Sequence, residues 1–558
     1  MTGPPPVSPV LIVGAGPTGL TLAAQVHAHG GQVRIIERRW EPRPSRAFIV
    51  QPRSLELLAP LGVVDALLAR GDPSATATVH AAGRSASVTL ARPGIADTEY
   101  PFLLAIPQAV VEAVLEEHLR GVGVAVERGV ELVSLSQGRE SVGCVLRGPD
   151  GHRHLAEARY VAGCDGADST VREAAGIPFP GRDYRVTVLM ANVDAEGALV
   201  PGAVNGYLCA GGLLFLIPSR DAAPWRLLTV GTASGRGRAA GRSLDADGGG
   251  GPDLPTWQAV TDRFTGGEVR LRELAWTTRI RLRRGQATRY QAGRVLLAGD
   301  AAHLHSPAGA QGMNTGIQDA CNLGWRLALV STGVAGPGLL PSYQAERWPV
   351  ARRVRQLTDL AFLAEAGGAP PLRWLRRYAA PVALPVVSGR ALPAWAFRFL
   401  GGLLIRYRRS PAVAEGQPTP RRTVRAGDRL VNGPVIRDGV VVWLHQALRS
   451  PGFHLLLCGQ VEEFDPGAVA ALRRSAGVPL GVHRLTRVPA PGVLADPQGR
   501  LLRRLGRGTA VYLIRPDRYV GYRSAGPDLA GVAGYLRTKL SITPVMGGLA
   551  RSGSQDRP

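Results

Sequence analysis

The stretch VLIVGAGPTGLTLAAQ, Val10 to Gln25, constrains the fold more than any other part of the chain. Apolar residues run into Gly14, Gly16 and Gly19, and helical spacing follows. Each glycine of such a strand–turn–helix has its own reason. Gly14 permits the tight turn, Gly16 lets the backbone approach a pyrophosphate, and Gly19 lets the helix pack closely on the strand. The helix then starts through Pro17 and Thr18, and its free N–H groups face phosphate charge. A second strand, QVRIIE, ends at Glu37, eighteen residues past Gly19, with Arg38 next. A carboxylate there accepts from ribose hydroxyls and repels a 2′-phosphate. A further match, Gly235 to Ala240, runs into AAGRSLDADGGGG, which cannot continue as a helix and reads as a surface loop. One dinucleotide cradle is expected, and the glycine pattern alone leaves NAD and FAD open.

With 558 residues the chain exceeds one hydrophobic core, so two or three domains are expected. Its apolar share, 45%, is that of an ordinary globular protein. The opening MTGPPPVSP has neither the basic nor the apolar part of a secretory signal. The segment AAPVALPVVSGRALPAWAFRFLGGLLI, from Ala379, is broken by Arg390, Arg398 and several prolines. Neither is expected to engage a membrane, and a cytoplasmic location follows. The net charge of +23 invites a nucleic-acid reading. Against it, Lys539 is the single lysine, and the arginines are scattered among abundant Ala, Gly and Pro, the residues of GC-rich codons. No nucleic-acid partner is expected. Cys144, Cys164, Cys209, Cys321 and Cys458 are odd in number and form no C-x-x-C pair, so neither a disulfide framework nor a metal site is expected.

Along the chain, residues from about Thr76 to Leu90 alternate like strands, QAVVEAVLEEHLRGVG is helical by its spacing, and ARYVAGCDG is a strand entering another glycine turn. From Gly181 to Ala275 the short strands RVTVLMANVDA, GLLFLIPS and WRLLTVGTAS indicate a sheet of another kind. GRVLLAGDAAH is again a strand ending in a turn, with a helix from about Thr315 to Ser331. After a Pro-rich break near Pro370 and the segment PTPRRTVRAGDRL, strands and helices alternate to about Leu540.

Three of these stretches carry a resemblance. GRVLLAGDAAHLHSPAGAQGMNTGIQDACNLGWRLAL, from Gly293, resembles the second FAD motif of the flavoprotein aromatic hydroxylases, the single-component FAD-dependent monooxygenases. The resemblance implies that Asp300 binds the ribityl chain and that SPAGAQGMN, with Pro307 and Gly309, passes beside the flavin ring. It also implies that the helix opening through Gly312, Met313 and Asn314 points its dipole at the pyrimidine edge. The family more often has two prolines where Ser306 and Pro307 stand here. GCDGADSTVREAAGIPFPG, from Gly163, resembles the third motif and implies that Asp165 and Gly166 lie near the pyrophosphate, with Arg172 neutralising phosphate charge. RPSRAFIVQPRSLELL matches the stretch whose arginine touches the FAD phosphates, which makes Arg46 the candidate and Arg53 a further one. IPQAVVEAVLEEHL places the cofactor-contacting glutamine at Gln108, although the usual polar residue three positions on is Val111. Singly, Asp165 reads equally well as a turn cap and Asp300 as a helix cap; three motifs in this order favour the flavin.

This likeness covers roughly residues 8 to 360. RAGDRL near Arg425 and VYLIRPDRYVGYRS from Val511 resemble the C-terminal thioredoxin-like domain of longer members such as phenol hydroxylase and the polyketide-tailoring hydroxylases. Without a C-x-x-C, a packing or dimerisation role is implied there. The expected fold class is α/β: a Rossmann-type FAD-binding domain (1–180 plus 276–370) with an inserted substrate sheet (181–275, joined by strands from about 76–105). A helical linker (371–420), the thioredoxin-like domain (421–545) and a disordered tail (546–558) complete the chain.

The implied chemistry is hydride transfer from NADPH or NADH to FAD, then reaction with O2 to a C4a-hydroperoxyflavin that hydroxylates a planar, polycyclic aromatic, polyketide-type substrate. His303 reads as structural and His305 as the candidate base. Tyr207, Leu216, Pro218 and Trp225 are candidates for the substrate wall, with ordinary core packing the alternative. Baeyer–Villiger insertion, inactivation of an antibiotic such as a rifamycin or tetracycline, a non-catalytic flavin-bound carrier and a plain NAD dehydrogenase stay open, as does the choice of monomer or homodimer. A flavin halogenase is disfavoured, since W-x-W-x-I-P and a mid-chain lysine are both missing.

Overall fold

Apolar residues run unbroken from Val10 to Val13 because their strand is covered on both faces; in the computed structural model all four are buried. The structure describes residues 8–41, 47–92, 94–209, 212–219, 223–231, 251–306, 308–366, 369, 374, 393–419, 423–506 and 508–544. Of the expected glycine-rich loop 245–253, residues 245–250 lie outside these residues, as do the tail 546–558 and most of the linker before Pro393. Two units are resolved by their internal packing: Met1–Ala24, Val33–Ala320 and Arg347–Leu404 form one, and Gln25–Gln32, Cys321–Glu346 and Ile405–Pro558 the other.

The first unit holds two eight-stranded sheets. In one, Val295–Leu297, Arg153–Gly163, Ser8–Val13, Val33–Glu37 and Val126–Arg128 lie side by side, all parallel. The glycine turn leads directly into the helix Pro17–Ala28. The second sheet is largely antiparallel and runs His303–Leu304, Val269–Gln286, Gly181–Gly197, Trp225–Gly231, Gly212–Pro218, Val204–Cys209, Thr76–Ala81, Arg84–Thr89. Thr76–Ala81 joins it by parallel pairing to Val204–Cys209, so the early hairpin belongs to this sheet. The expected boundary at residue 275 falls inside the single strand Val269–Gln286, which pairs along the length of Gly181–Gly197.

Buried apolar clusters lie on both faces of this second sheet. The helix Leu254–Thr265 covers one of them, where Leu189, Ala191, Val193, Leu214 and Leu227 pack with the fully buried Trp257. The alternate residues Val188, Met190 and Leu228 point the other way, to Phe362.

The second unit is built on a sheet ordered Ala414–Glu415, Val520–Ala525, Ala510–Ile514, Phe453–Cys458, Leu480–Thr486, Leu494–Ala495, Pro434–Arg437, Val440–Trp443. Phe453–Cys458 is parallel to Leu480–Thr486 and antiparallel to Ala510–Ile514. Behind it lies a closed ion network. Glu346 accepts from Arg515 Nη1 and Nη2 at 2.6 and 2.8 Å, from Asn322 Nδ2 at 2.6 Å and from Ser410 Oγ at 2.6 Å, and forms an ion pair with Arg326 Nη2 at 2.9 Å. Asp517 supplies the second anion, 2.5 Å from Arg515 Nη2. Burial alone would raise the Glu346 carboxyl, but Arg326 and Arg515 outweigh it and bring it down to about 2 from an ordinary 4.5. Among the described residues no helix is long and apolar enough to cross a membrane.

Removing one partner from such a buried pair leaves an uncompensated charge. Glu346→Gln is therefore expected to lower unfolding free energy by about 3–5 kcal/mol, read from denaturant midpoints at neutral pH. Because the folded carboxyl sits below its unfolded value, its contribution persists above pH 4.5 and fades as pH falls toward 2; the variant should show a flatter acid limb.

Candidate functional site

Three turns leave the parallel sheet at one edge. Val13 pairs with Gly163, and Gly163 with Leu297, so three parallel strands end in register. The residues just past the three strands, Gly14, Asp165 and Asp300, therefore emerge together at the carboxyl ends. Contact is direct. Gly14 takes φ +101°, and a Cβ on it would stand 2.5 Å from the Cys164 carbonyl oxygen and 2.8 Å from Asp165 Cα. A Cβ on Gly19 would collide with the Gly14 oxygen. Thr18 closes the set, because its Oγ1 stands 2.5 Å from where a Gly299 Cβ would lie and also bears on Gly316. Gly16 is the exception: nothing lies within 4 Å of a Cβ built there, so the turn presents open space at the start of its helix.

At the neighbouring strand, Glu37 Oε2 accepts from the Ala15 N–H at 2.9 Å and Oε1 from the Arg39 N–H at 3.1 Å, which anchors the carboxylate beside the glycine turn. Arg38 is exposed. Gln108 opens the helix Gln108–Gly121 and donates through Nε2 to Glu112 at 2.8 Å. Val111 is fully buried and makes the polar contact usual for the family impossible at that position. Glu112, which sequence reasoning passed over, is held up to about 7 chiefly by burial, with Glu37 and Glu116 adding to it and Gln108 and Arg128 opposing. Arg46 and Pro307 lie outside the described residues.

The Asp165 carboxylate is spent within its own turn, accepting from Ser169 Oγ at 2.6 Å and the Val171 N–H at 3.1 Å. Burial raises its pKa against these two bonds. Its contribution to the site is therefore the position of the turn. Arg172 differs from expectation: its Nη1 donates to Ala301 O at 3.1 Å and its Nη2 to Ala167 O at 2.9 Å. The guanidinium also lies over Phe179, at 4.4 Å from the ring centroid. It ties two turns together through their carbonyls instead of presenting its charge to a phosphate. Arg53 is likewise buried and paired with Glu56 at 3.0 Å.

Asp300 is exposed on the turn after Val295–Leu297. Beneath it lies Asp319, fully buried. Its Oδ2 accepts from the Gly299 N–H at 3.1 Å and bonds His303 Nε2 at 2.6 Å, and its Oδ1 accepts from Arg347 Nε at 2.6 Å. Burial pushes this carboxyl up, but Arg347 and His303 outweigh it and leave it below its ordinary range. Asp319 and Arg347 were missed by sequence reasoning. Asp319 sits in a helix buried on every side from Met313 to Val330, where a carboxylate requires a partner.

The helix Gly312–Ser331 starts beside this cluster, after a turn in which Gly309 has φ +73°. The N–H groups of Gly312, Met313 and Asn314, in its first turn, have no acceptor within the helix. The Asn314 side chain is occupied: Oδ1 accepts from the Gln51 N–H and Ser54 Oγ, both at 2.8 Å, and Nδ2 donates to Ile49 O at 2.9 Å and Ala310 O at 3.1 Å. It fastens the segment 49–54 to the helix, which leaves its backbone as the group it can offer. Met313 is buried, and His305 is half-buried against Gly312.

The candidates for a substrate wall fall on the opposite face of the second sheet from Phe362. Tyr207 and Leu216 are buried in the cluster around Trp257, and Trp225 packs on the same cluster. Tyr207 donates to Ala198 O at 2.5 Å and stacks on His80 with centroids 4.4 Å apart. Pro218 is exposed at the end of its strand. The neighbouring Phe215, one residue from Leu216, is the one that reaches the Phe362 face, together with Trp276. With apolar residues on both faces, period-2 alternation carries no phase, so the sequence did not assign these residues to one face or the other.

These residues fit a dinucleotide. The open space at Gly16 lies where free helix N–H groups would meet a pyrophosphate, with Glu37 at the ribose side. Residues 7–358 match the FAD binding domain family, and the chain belongs to it. It is a flavin-dependent monooxygenase. Over 542 residues, 93% of this chain and 92% of the relative, it is 35% identical to a 6-methylpretetramide 4-monooxygenase of Streptomyces rimosus. It is also 36% identical to a rifampicin monooxygenase of Streptomyces venezuelae over 348 residues, 62% of this chain and 69% of that one. The solved anhydrotetracycline hydroxylase OxyS from Streptomyces rimosus superposes with a TM-score of 0.74 at 27% identity, covering 96% of this chain and 99% of that one.

Glu112 supplies a test of the electrostatics here. A carboxyl raised to about 7 binds its proton more tightly folded than unfolded, so its share of stability is complete below pH 4.5 and lost as pH rises through 7. Glu112→Gln should match the wild type in thermal midpoint near pH 5 and exceed it at pH 8, measured by melting both proteins across that range.

Proposed function

We propose that the chain inserts one oxygen atom from O2 into a planar, polycyclic aromatic molecule of the polyketide type, using FAD reduced by NADPH or NADH. The observation that carries this reading is the in-register ending of three parallel strands beside an open Gly16 turn. The named substrates of the relatives, 6-methylpretetramide and rifampicin among them, support the substrate class. FAD, when bound, accepts the hydride and activates oxygen.

The chain's residues bind and orient. The turn Gly14–Gly19, with Pro17 and Thr18, would hold the pyrophosphate, and Glu37 and Arg38 the adenosine side, with Gln108 near it. Asp300 would take the polyol chain. Gly309 and the N–H groups of Gly312, Met313 and Asn314 would meet the ring, and the family resemblance assigns Pro307 and Arg46 to the same cofactor. Asp165 and Arg172 would act as positioning residues, the first by shaping its turn and the second by joining it to the Asp300 turn. For the substrate wall we assign Val188, Met190, Phe215, Leu228 and Trp276, since the helix Leu254–Thr265 covers the other face of their sheet. In the C-terminal unit, the order Val520–Ala525, Ala510–Ile514, Phe453–Cys458, Leu480–Thr486, with Ala510–Ile514 antiparallel to Phe453–Cys458, supports a thioredoxin-like module with a packing or self-association role. The likeness to rifampicin monooxygenase favours a second reading, oxygenation that inactivates an antibiotic.

The purified protein should be yellow and release FAD on heating. Gly16→Val meets no protein atom within 4 Å of its Cβ, so it should keep the wild-type circular dichroism and lose the colour. Phenolic polycycles should accelerate NAD(P)H consumption and appear in mass spectra as products one oxygen atom heavier. A colourless wild type, or consumption indifferent to every phenol and antibiotic offered, would overturn the reading.

A further inference from the structure

We propose that His305 is the general base of the reaction, taking the phenolic proton of the aromatic substrate on Nε2. The inference rests on the hydroxylase reading above and supplies the group that makes the substrate ring nucleophilic. An ionised phenol oxygen pushes electron density into the ring, so removing its proton speeds attack by an electrophilic oxygen.

Hydrogen bonding sets the tautomer. His305 Nδ1 lies 3.0 Å from the Ser306 carbonyl oxygen. A carbonyl only accepts, so Nδ1 carries the ring hydrogen and Nε2 keeps its lone pair. That carbonyl is itself fixed, because the fully buried Ser306 side chain donates to Thr358 O at 2.8 Å. Ring orientation has a second support. The imidazole lies parallel to His303, with planes 10° apart and centroids 6.2 Å apart. His303 is in turn held by Asp319 at 2.6 Å, and Asp319 by Arg347 at 2.6 Å.

Position separates the two histidines. His303 is 2% exposed with Nε2 committed to Asp319, so it cannot meet a substrate. His305 is half-buried, and its Cε1, the carbon between the two ring nitrogens, stands 3.7 Å from where a Cβ of Gly312 would lie. The imidazole is thus beside the opening turn of the helix assigned to the flavin ring. The strand His303–Leu304 just before it pairs with Gly285 and Gln286, at the end of the sheet that carries Phe215 and Trp276. The groups facing the ring are His303 and Asp300 from the chain before it and Asp359 from the helix Pro341–Ala366. Burial lowers the His305 pKa, and His303 acts in the same direction. Ser306 O, Asp300 and Asp359 oppose them without reversing the shift. The imidazole is neutral at pH 7 and able to accept.

The step balances without a co-reactant. The substrate O–H bond breaks, an Nε2–H bond forms, and phenolate with imidazolium results; the proton returns to the product oxygen at the end of the turnover.

The test uses His305→Asn and His305→Gln in the FAD-replete enzyme. Asparagine keeps a donor near the Nδ1 position and so preserves the bond to Ser306, but has no base at Nε2. A phenolic polycycle is bound to each protein, and its phenolate absorbance band is titrated against pH. The proposal expects half-ionisation of the bound phenol to move up by about one pH unit or more. It expects kcat at pH 7 to fall by about 10²–10⁴-fold with KM little changed. Raising the pH above the free phenol's own ionisation, or adding imidazole, should restore rate. Wild-type ionisation of the bound phenol in both variants would overturn the proposal, as would a rate loss that neither alkaline pH nor imidazole recovers. If the wild type turns over no phenol, the hydroxylase reading fails on its own account, while the absorbance titration still reports on His305.

Discussion

Parallel pairing in register is the constraint on which the site depends. Val13, Gly163 and Leu297 stand side by side, so three turns far apart in the chain begin at one height on one edge of a sheet. A slip of one residue between Ser8–Val13 and Arg153–Gly163 would carry Cys164 away from Gly14 and turn every core side chain to the wrong face. Glycine enforces the closeness: at Gly14 and Gly19 a side chain would strike backbone. Two buried clamps then hold the turns. Arg172 joins the Asp165 turn to Ala301, and Asp319 joins Gly299 to His303 and Arg347. Buried charges of this kind add little net stability, because desolvation offsets their attraction. Their effect is geometric, since a displaced turn would leave a charge without its partner.

The second sheet divides its labour by parity. One set of alternating residues is spent on Trp257 and the helix Leu254–Thr265 and closes a core. The other set, with Phe215, Met190 and Leu228, meets Phe362. The same sheet ends on the strand His303–Leu304, which leads to His305 and then to the helix Gly312–Ser331. The sheet that carries this apolar face is thus joined through the strand His303–Leu304 to the imidazole of His305 and the first turn of the helix Gly312–Ser331. That succession gives the oxygenation chemistry a physical setting, because each element is positioned by pairing already required for the fold.

The second unit meets its own constraint differently. Two arginines and two carboxylates sit together, buried, with Glu346 receiving four hydrogen-bond donors and an ion pair from Arg326. The charges balance, and the geometry pulls the Glu346 proton affinity far down. Such a cluster tolerates little rearrangement, and the unit's cysteines, Cys321 and Cys458, are both buried and form no C-x-x-C pair.

Much of the candidate site's local structure was legible in the chain because its signals are local. The Gly14–Gly19 turn, Glu37 at a strand end, Gln108 at a helix start and the Asp165 and Asp300 turns are each set within a few residues by φ, by helix termini and by strand periodicity. Tertiary structure decided what those signals cannot carry. Asp319 and Arg347 are ordinary helix residues until two helices place them 2.6 Å apart. The fold brings Ala301 O within reach of the Arg172 guanidinium, and Gln51, Ser54 and Ile49 occupy the Asn314 side chain and leave its backbone N–H as the group it offers. Tyr207 and Phe215 are equally apolar in sequence, and only the helix Leu254–Thr265 determines which of them is turned away from Phe362. Backbone conformation is selected by neighbours along the chain, whereas the work of a side chain is selected by whichever surface arrives opposite it.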